Sequence, residues 1–250
     1  MAAYAATVFG EITSANVVGY ATQPVTDGGL KCVGFQFADV GSAEGKTSLV
    51  NFLTSGITPG VYDTMGTDAP CVQFYNGIGY EFYYYISDAY DADGNEVTGW
   101  ANGGGDIADL ENLVGTGCWL RIPAGKSSAG TVTQAGEVLS ADTVTIDLRN
   151  GLTLASNPFP TALDLSKVVT TGLVPGVYDT MEADAPSIQV YNGVGYQFYF
   201  YISDAFDADG NEVTGWANGG GDIVYEPVAA VGQAFWAKTT SAGKLTFSMK

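Results

Sequence analysis

Residues 76–106 read NGIGYEFYYYISDAYDADGNEVTGWANGGGD, and residues 192–222 return the same text as NGVGYQFYFYISDAFDADGNEVTGWANGGGD. Only Ile78/Val194, Glu81/Gln197, Tyr84/Phe200 and Tyr90/Phe206 differ. Each copy opens on an Asn-Gly pair, the turn chemistry of a tight hairpin, and runs straight into an aromatic segment of strand character. That segment is apolar on both faces: Phe82, Tyr84 and Ile86 point one way, Tyr83 and Tyr85 the other. Tyr84 gives way to Phe200, whereas Tyr83 and Tyr85 return as Tyr199 and Tyr201. The first face is therefore expected in the core and the second half-wet, its phenols retained for water.

Working outward, Pro59-Gly60-Val61-Tyr62-Asp63-Thr64-Met65 recurs as Pro175-Gly176-Val177-Tyr178-Asp179-Thr180-Met181, an offset of 176 − 60 = 116. Each copy closes on an aromatic strand, Gly117-Cys118-Trp119-Leu120-Arg121 or Ala234-Phe235-Trp236-Ala237-Lys238. A repeat of this length is a duplicated domain, not a solenoid unit. The expectation is an all-β protein of two tandem, homologous, β-sandwich-like domains, residues 1–134 and 135–250, each with at most one short helix. Residues 41–55, with Leu49, Phe52 and Leu53 on one helical face, and their partner 161–171 are the helix candidates.

Composition narrows the company such a protein keeps. There is no His, and nine Lys and Arg stand against 27 Asp and Glu, for a net charge of −18. Phosphate backbones and anionic membrane surfaces are repelled, so nucleic acid is disfavoured, and no apolar run is long enough for membrane insertion. The N-terminus has neither a basic segment nor the apolar stretch of a leader. Low Lys with abundant Thr, Gly and Tyr points to an extracellular or cell-surface protein whose leader is absent from this chain. The three Cys all lie in the first half and have no partners in the second, so they read as buried free thiols. Without His, and with no Ser or Cys in a nucleophile motif, the chain reads as a non-enzyme.

Two motifs carry candidate chemistry. Asp91-Ala92-Asp93-Gly94-Asn95 and Asp207-Ala208-Asp209-Gly210-Asn211 place oxygen donors at alternate positions, as the first three ligands of a calcium loop are placed. Asp106 and Asp222 are available to complete an irregular site, although the Gly at position six and the bidentate Glu at position twelve are missing. The competing reading is a hairpin whose Asp and Asn side chains cap their own backbone. Beside these loops, Trp100 with Tyr83 and Tyr85, and Trp216 with Tyr199 and Tyr201, have the composition of a sugar-stacking platform for a glycan. Here the competing reading is a Trp that plugs the core.

Asn76-Gly77-Ile78-Gly79-Tyr80, Gly99-Trp100 and Gly232-Gln233-Ala234-Phe235-Trp236-Ala237-Lys238, with Asn150-Gly151-Leu152 running to Ser156-Asn157-Pro158-Phe159-Pro160, carry a family likeness. The chain resembles the tandem β-domains in predicted surface proteins of Verrucomicrobiota-type bacteria. That resemblance implies a fold and a location but no activity. Copy one departs from it, with Gly34-Phe35-Gln36-Phe37 where copy two has Ser156-Asn157-Pro158-Phe159.

The junction between copies motivates the leading functional expectation. Residues 132–143 run from the last strand of copy one into the first of copy two without a linker, so each terminus duplicates one side of an internal joint. A self-associating structural protein follows, the subunit of a filament or layer polymerising head to tail by strand addition. Thr7, Val8, Phe9 and Ile12 would meet Leu245 and Phe247 of a neighbour. A calcium- or carbohydrate-binding surface module is the alternative, and a viral or phage decoration protein a further one.

Overall fold

The computed structural model describes residues 17–42, 45–49, 52–108 and 110–249. Strands dominate, as the alternating aromatic and β-branched runs require. In the first half these are β1 (Val18–Pro24), β2 (Leu30–Gly34), β3 (Lys46–Ser48), β4 (Phe52–Ile57), β5 (Cys71–Tyr75), β6 (Tyr80–Tyr90), β7 (Glu96–Ala101), β8 (Glu111–Leu113), β9 (Gly117–Arg121) and β10 (Ser127–Glu137). In the second they are β11 (Thr143–Leu148), β12 (Gly151–Ser156), β13 (Val169–Thr171), β14 (Ser187–Tyr191), β15 (Tyr196–Phe206), β16 (Glu212–Ala217), β17 (Ala234–Thr239) and β18 (Gly243–Ser248). One α-helical turn interrupts each half, α1 (Met65–Asp68) and α2 (Met181–Asp184).

Two five-stranded sheets, β2-β9-β5-β6-β7 and β12-β17-β14-β15-β16, repeat one strand order. Each is faced by a three-stranded sheet, β1-β10-β4 or β11-β18-β13. Val33, Val72, Phe74, Cys118 and Leu120 of the first large sheet pack on Phe52 and Val132 of its small one. Ile188, Val190, Phe235 and Ala237 meet Leu148, Leu245 and Phe247 in the second half. Side chains on one face of each strand thus fill the space between two sheets, the layered solution that alternating sequences dictate. Register repeats to the residue: Thr22 pairs with Thr133 and Thr145 with Thr246, and in both pairs the hydroxyls lie 2.8 Å apart.

Every continuous ladder stays within one half of the chain. β10 keeps pairing with β1 as far as Glu137, three residues beyond the expected division at 134/135 (137 − 134). β10 pairs with β1 and β4, while β11 pairs with β18, and among the described residues no ladder passes from one half to the other.

One short α-helix in each half agrees with expectation, but neither lies where the apolar spacing suggested. Residues 41–55 supply β3 and β4 instead, and Leu49 and Phe52 reach one core from either side of the connection between them. Residues 161–171 form a 3-10 turn, Leu165–Lys167, and the short β13. Asp164 caps that turn through Ser166 N at 3.1 Å, and Leu163 and Leu165 are buried. Two or three apolar residues spaced like a helix face fit a strand–turn–strand equally well.

The outer faces of the large sheets meet in a seam. Cys32, Trp119, Leu154, Ala234 and Trp236 are buried there, with Tyr75 and Tyr191 packed against them. Trp236 meets Tyr75 edge-on at 5.1 Å and Trp119 meets Tyr191 at 5.3 Å. The reciprocal pairing makes the seam pseudo-two-fold. On its axis the two divergent segments face each other. A Cβ on Gly34 would stand 2.1 Å from Ser156 Cβ, so only one copy has room for a side chain at this position. Around it Ser156 N donates to Gly115 O at 2.7 Å, Gly34 N to Gly232 O at 2.8 Å, and Gln36 Nε2 to Phe159 O at 2.8 Å. The departure of copy one from copy two is thus what lets the halves lock together.

Candidate functional site

The acidic loops are held by their own side chains. Asp91 Oδ1 accepts from Asp93 N at 2.9 Å and Asn95 N at 2.8 Å, and Asn95 Nδ2 lies 3.2 Å from Oδ2. Asp207, Asp209 and Asn211 repeat this arrangement within the second copy. These bonds, led by the one from the Asn95 or Asn211 backbone, lower the Asp91 and Asp207 carboxyls below the usual range. Asp106 and Asp222 close a second turn, in which Asn102 or Asn218 Oδ1 accepts from two backbone N–H groups. Among the described residues no three His, Cys, Asp or Glu converge with the geometry of a metal site. Of the eight residues expected as calcium ligands, Asp91 and Asp207 cap their turns with their carboxylates, Asn95 and Asn211 turn Nδ2 toward them, and Asp93, Asp106, Asp209 and Asp222 join the turns through their backbone N–H groups.

The aromatic platform also differs from expectation. Trp100 and Trp216 are only 6% and 5% exposed, and Tyr83, Tyr85, Tyr199 and Tyr201 pack on the same cores. It is the face expected to be half-wet that carries the main core. The opposite face is divided: Tyr84 and Ile86 lie with Met65 and Ala69 beneath α1, whereas Phe82 is 43% exposed and its counterpart Phe198 45%.

This division leaves an aromatic row on each large sheet. Along β6 the rings of Tyr80, Phe82 and Tyr84 follow one another at 6.5 and 6.4 Å, the last pair stacked within 12°. Along β15 Tyr196, Phe198 and Phe200 do the same at 6.5 and 6.3 Å, with 11° between the last two. Their spacing is that of alternate residues on one strand. Cross-strand from each exposed Phe stands an amide, Gln73 opposite Phe82 and Gln189 opposite Phe198. Both rows start at the seam, where Tyr80 packs on Tyr75 and Tyr196 on Tyr191. Burial raises both phenols, and the Tyr196 phenol adds to the rise at Tyr80. The two hydroxyls therefore stay protonated and able to donate. Sequence alternation marked these residues as a face, but could not say which of two apolar faces the second sheet would cover.

A groove of about 520 Å³ brings three of the expected residues together: Tyr201, Asp207 and Trp216 line it with Ser166, Thr170 and Tyr225. A cleft of about 640 Å³ opens at the seam between Gln23 and Lys31 on one side and Asn192 and Gln197 on the other. The expected assembly residues fall into two groups. Thr7, Val8, Phe9 and Ile12 lie outside the described residues. Leu245 and Phe247, 0% and 3% exposed, belong to the core of their own half, and β18 is paired along both edges. Lys244 to Thr246 have a paired strand on each side, β11 on one and β13 on the other.

No family model, curated protein or solved structure matches the chain. Among the described residues no helix is long and apolar enough to cross a membrane.

Proposed function

We propose that this protein is a non-catalytic, extracellular carbohydrate-binding protein that holds neutral polysaccharide chains on its two aromatic rows. The observation carrying this reading is the duplicated pairing of a solvent-open ring with a neighbouring amide, Phe82 with Gln73 and Phe198 with Gln189. Sugar rings present an apolar face that stacks on an aromatic ring and equatorial hydroxyls that an amide can both donate to and accept from. A net charge of −18 favours neutral over acidic polymers. Affinity electrophoresis through gels containing neutral polysaccharides tests it. Wild type should be retarded by at least one of them, and the double variant Phe82→Ala/Phe198→Ala should lose most of that retardation. Equal mobility of the two in every gel removes the reading.

Self-association into a surface filament or layer is a second reading, favoured by a separate observation. Ile78 and Val194, at the tips of the β5–β6 and β14–β15 hairpins, are almost wholly exposed beside the rows. Paired apolar patches on one chain can link molecules in an open series. Sedimentation velocity across a concentration range distinguishes the two, since Ile78→Ser/Val194→Ser should lower the molecular mass only if those tips join molecules.

A further inference from the structure

The two halves differ at a buried indole donor. In the first half the Trp100 indole Nε1 donates to Phe52 O at 3.1 Å, so the six-residue β4 closes over it. In the second half the equivalent Trp216 Nε1 is buried and has no hydrogen-bond partner. The strand facing it, β13, has three residues and pairs on one edge only, with β18. Leaving such a donor unpaired is costly, and native proteins rarely do so without a use.

We propose that the Trp216 groove is a second saccharide site, distinct from the rows, in which a ligand oxygen takes the position held by the Phe52 carbonyl in the first half. It rests on the carbohydrate reading above. The groove around Trp216 is lined by the hydroxyl residues Ser166, Thr170 and Thr214, by Asp207 at the edge of its capped loop, and by Tyr201 and the half-exposed Tyr225. Acceptors, donors and stacking surfaces in one groove are what a single neutral sugar unit needs. Because the nitrogen is shielded from solvent, entry requires the segment from Ser166 to Thr170 to move outward. β13 is the place where that is cheapest, being short and at a sheet edge.

The test is ¹H–¹⁵N NMR of the indole N–H signals of the intact chain, titrated with cello-, xylo-, manno- and chito-oligosaccharides. Trp216 and Trp100 are assigned from W216F and W100F. The expected result is a ligand-dependent shift of the Trp216 signal with the Trp100 signal unmoved. Tyr225→Ala should weaken that response roughly five- to tenfold, and Phe82→Ala/Phe198→Ala should leave it intact. Binding lost in the Phe82/Phe198 variant with no movement of Trp216 overturns the groove and leaves the rows standing. Movement of Trp216 that persists in that variant, with no retardation of wild type in gels, supports the groove and removes the rows. Silence of every signal with every sugar overturns both.

Discussion

Asp91 and Asp207 fasten their loops with their own carboxylates. The sign of their pH dependence follows from that geometry. Their folded pKa values lie below the ordinary 3.8, so whatever they contribute to loop order is fully present above that value and disappears as pH falls through the folded values. Carboxyl-detected NMR titration should give both midpoints below 3.8, and amide protection of Asp93, Asn95, Asp209 and Asn211 should fade over the same acidic range. Midpoints at or above 3.8 would contradict the caps. Asp27 behaves alike, lowered first by the Gly125 backbone N–H and then by Ser127, and it should lose the loop it holds in the same window. Cys32 and Cys118 illustrate the opposite case, since burial drives both thiols upward. A disulfide reagent should leave both intact at pH 8 and modify them once denaturant is added.

At the scale of elements, one glycine decides how each hairpin is covered. Gly60 and Gly176 lie in parallel bridges to Ile86 and Ile202, and a Cβ on either would come within 2.9 Å of the Cα of Ala69 or Ala185 at the end of α1 or α2. Gly60→Ala should destabilise the fold by about 1–3 kcal/mol in urea unfolding, through overpacking against backbone that cannot retreat. Leu245→Ala in β18 should cost about 2–5 kcal/mol, because it opens a cavity at the centre of the second core. A change under 0.5 kcal/mol would show instead that β18 is expendable to its own half.

These elements also mark the limits of what the sequence discloses. The Asn-Gly hairpins, the duplicated strands and the buried thiols were legible because each depends on a few neighbouring residues. The faces of β6 were not, since Tyr80 to Ile86 is apolar on both sides and only the second sheet, which lies far away in the chain, decides which side it covers. Residues 41–55 misled for a related reason, as three apolar positions do not determine a period. The groove at Trp216 left a fainter trace. Residues 161–171 are shorter than residues 41–55, the one sign in the sequence that the second half covers its Trp with less chain.

For the molecule as a whole, the seam is the element that makes one body of two halves. Its indole–phenol pairs and the bonds around Gly34 and Ser156 join sheets that otherwise share no ladder. Trp119→Ala/Trp236→Ala should convert a single unfolding transition into two, followed by calorimetry, because each half retains its own core. A single transition, merely shifted, would mean that neither half stands without the other. Self-repulsion at a net charge of −18 adds a salt dependence, and melting temperature should rise between about 10 and 150 mM salt as the Debye length contracts from about 30 to 8 Å.

The pseudo-two-fold at the seam bears on valency. Each half has its own row, and each row begins at the seam, Tyr80 on Tyr75 and Tyr196 on Tyr191. On the carbohydrate reading, one molecule with two equivalent rows can hold two polymer strands at once. If the rows bind as proposed, dilute polymer solutions should thicken in the presence of this protein and thin again with Phe198→Ala.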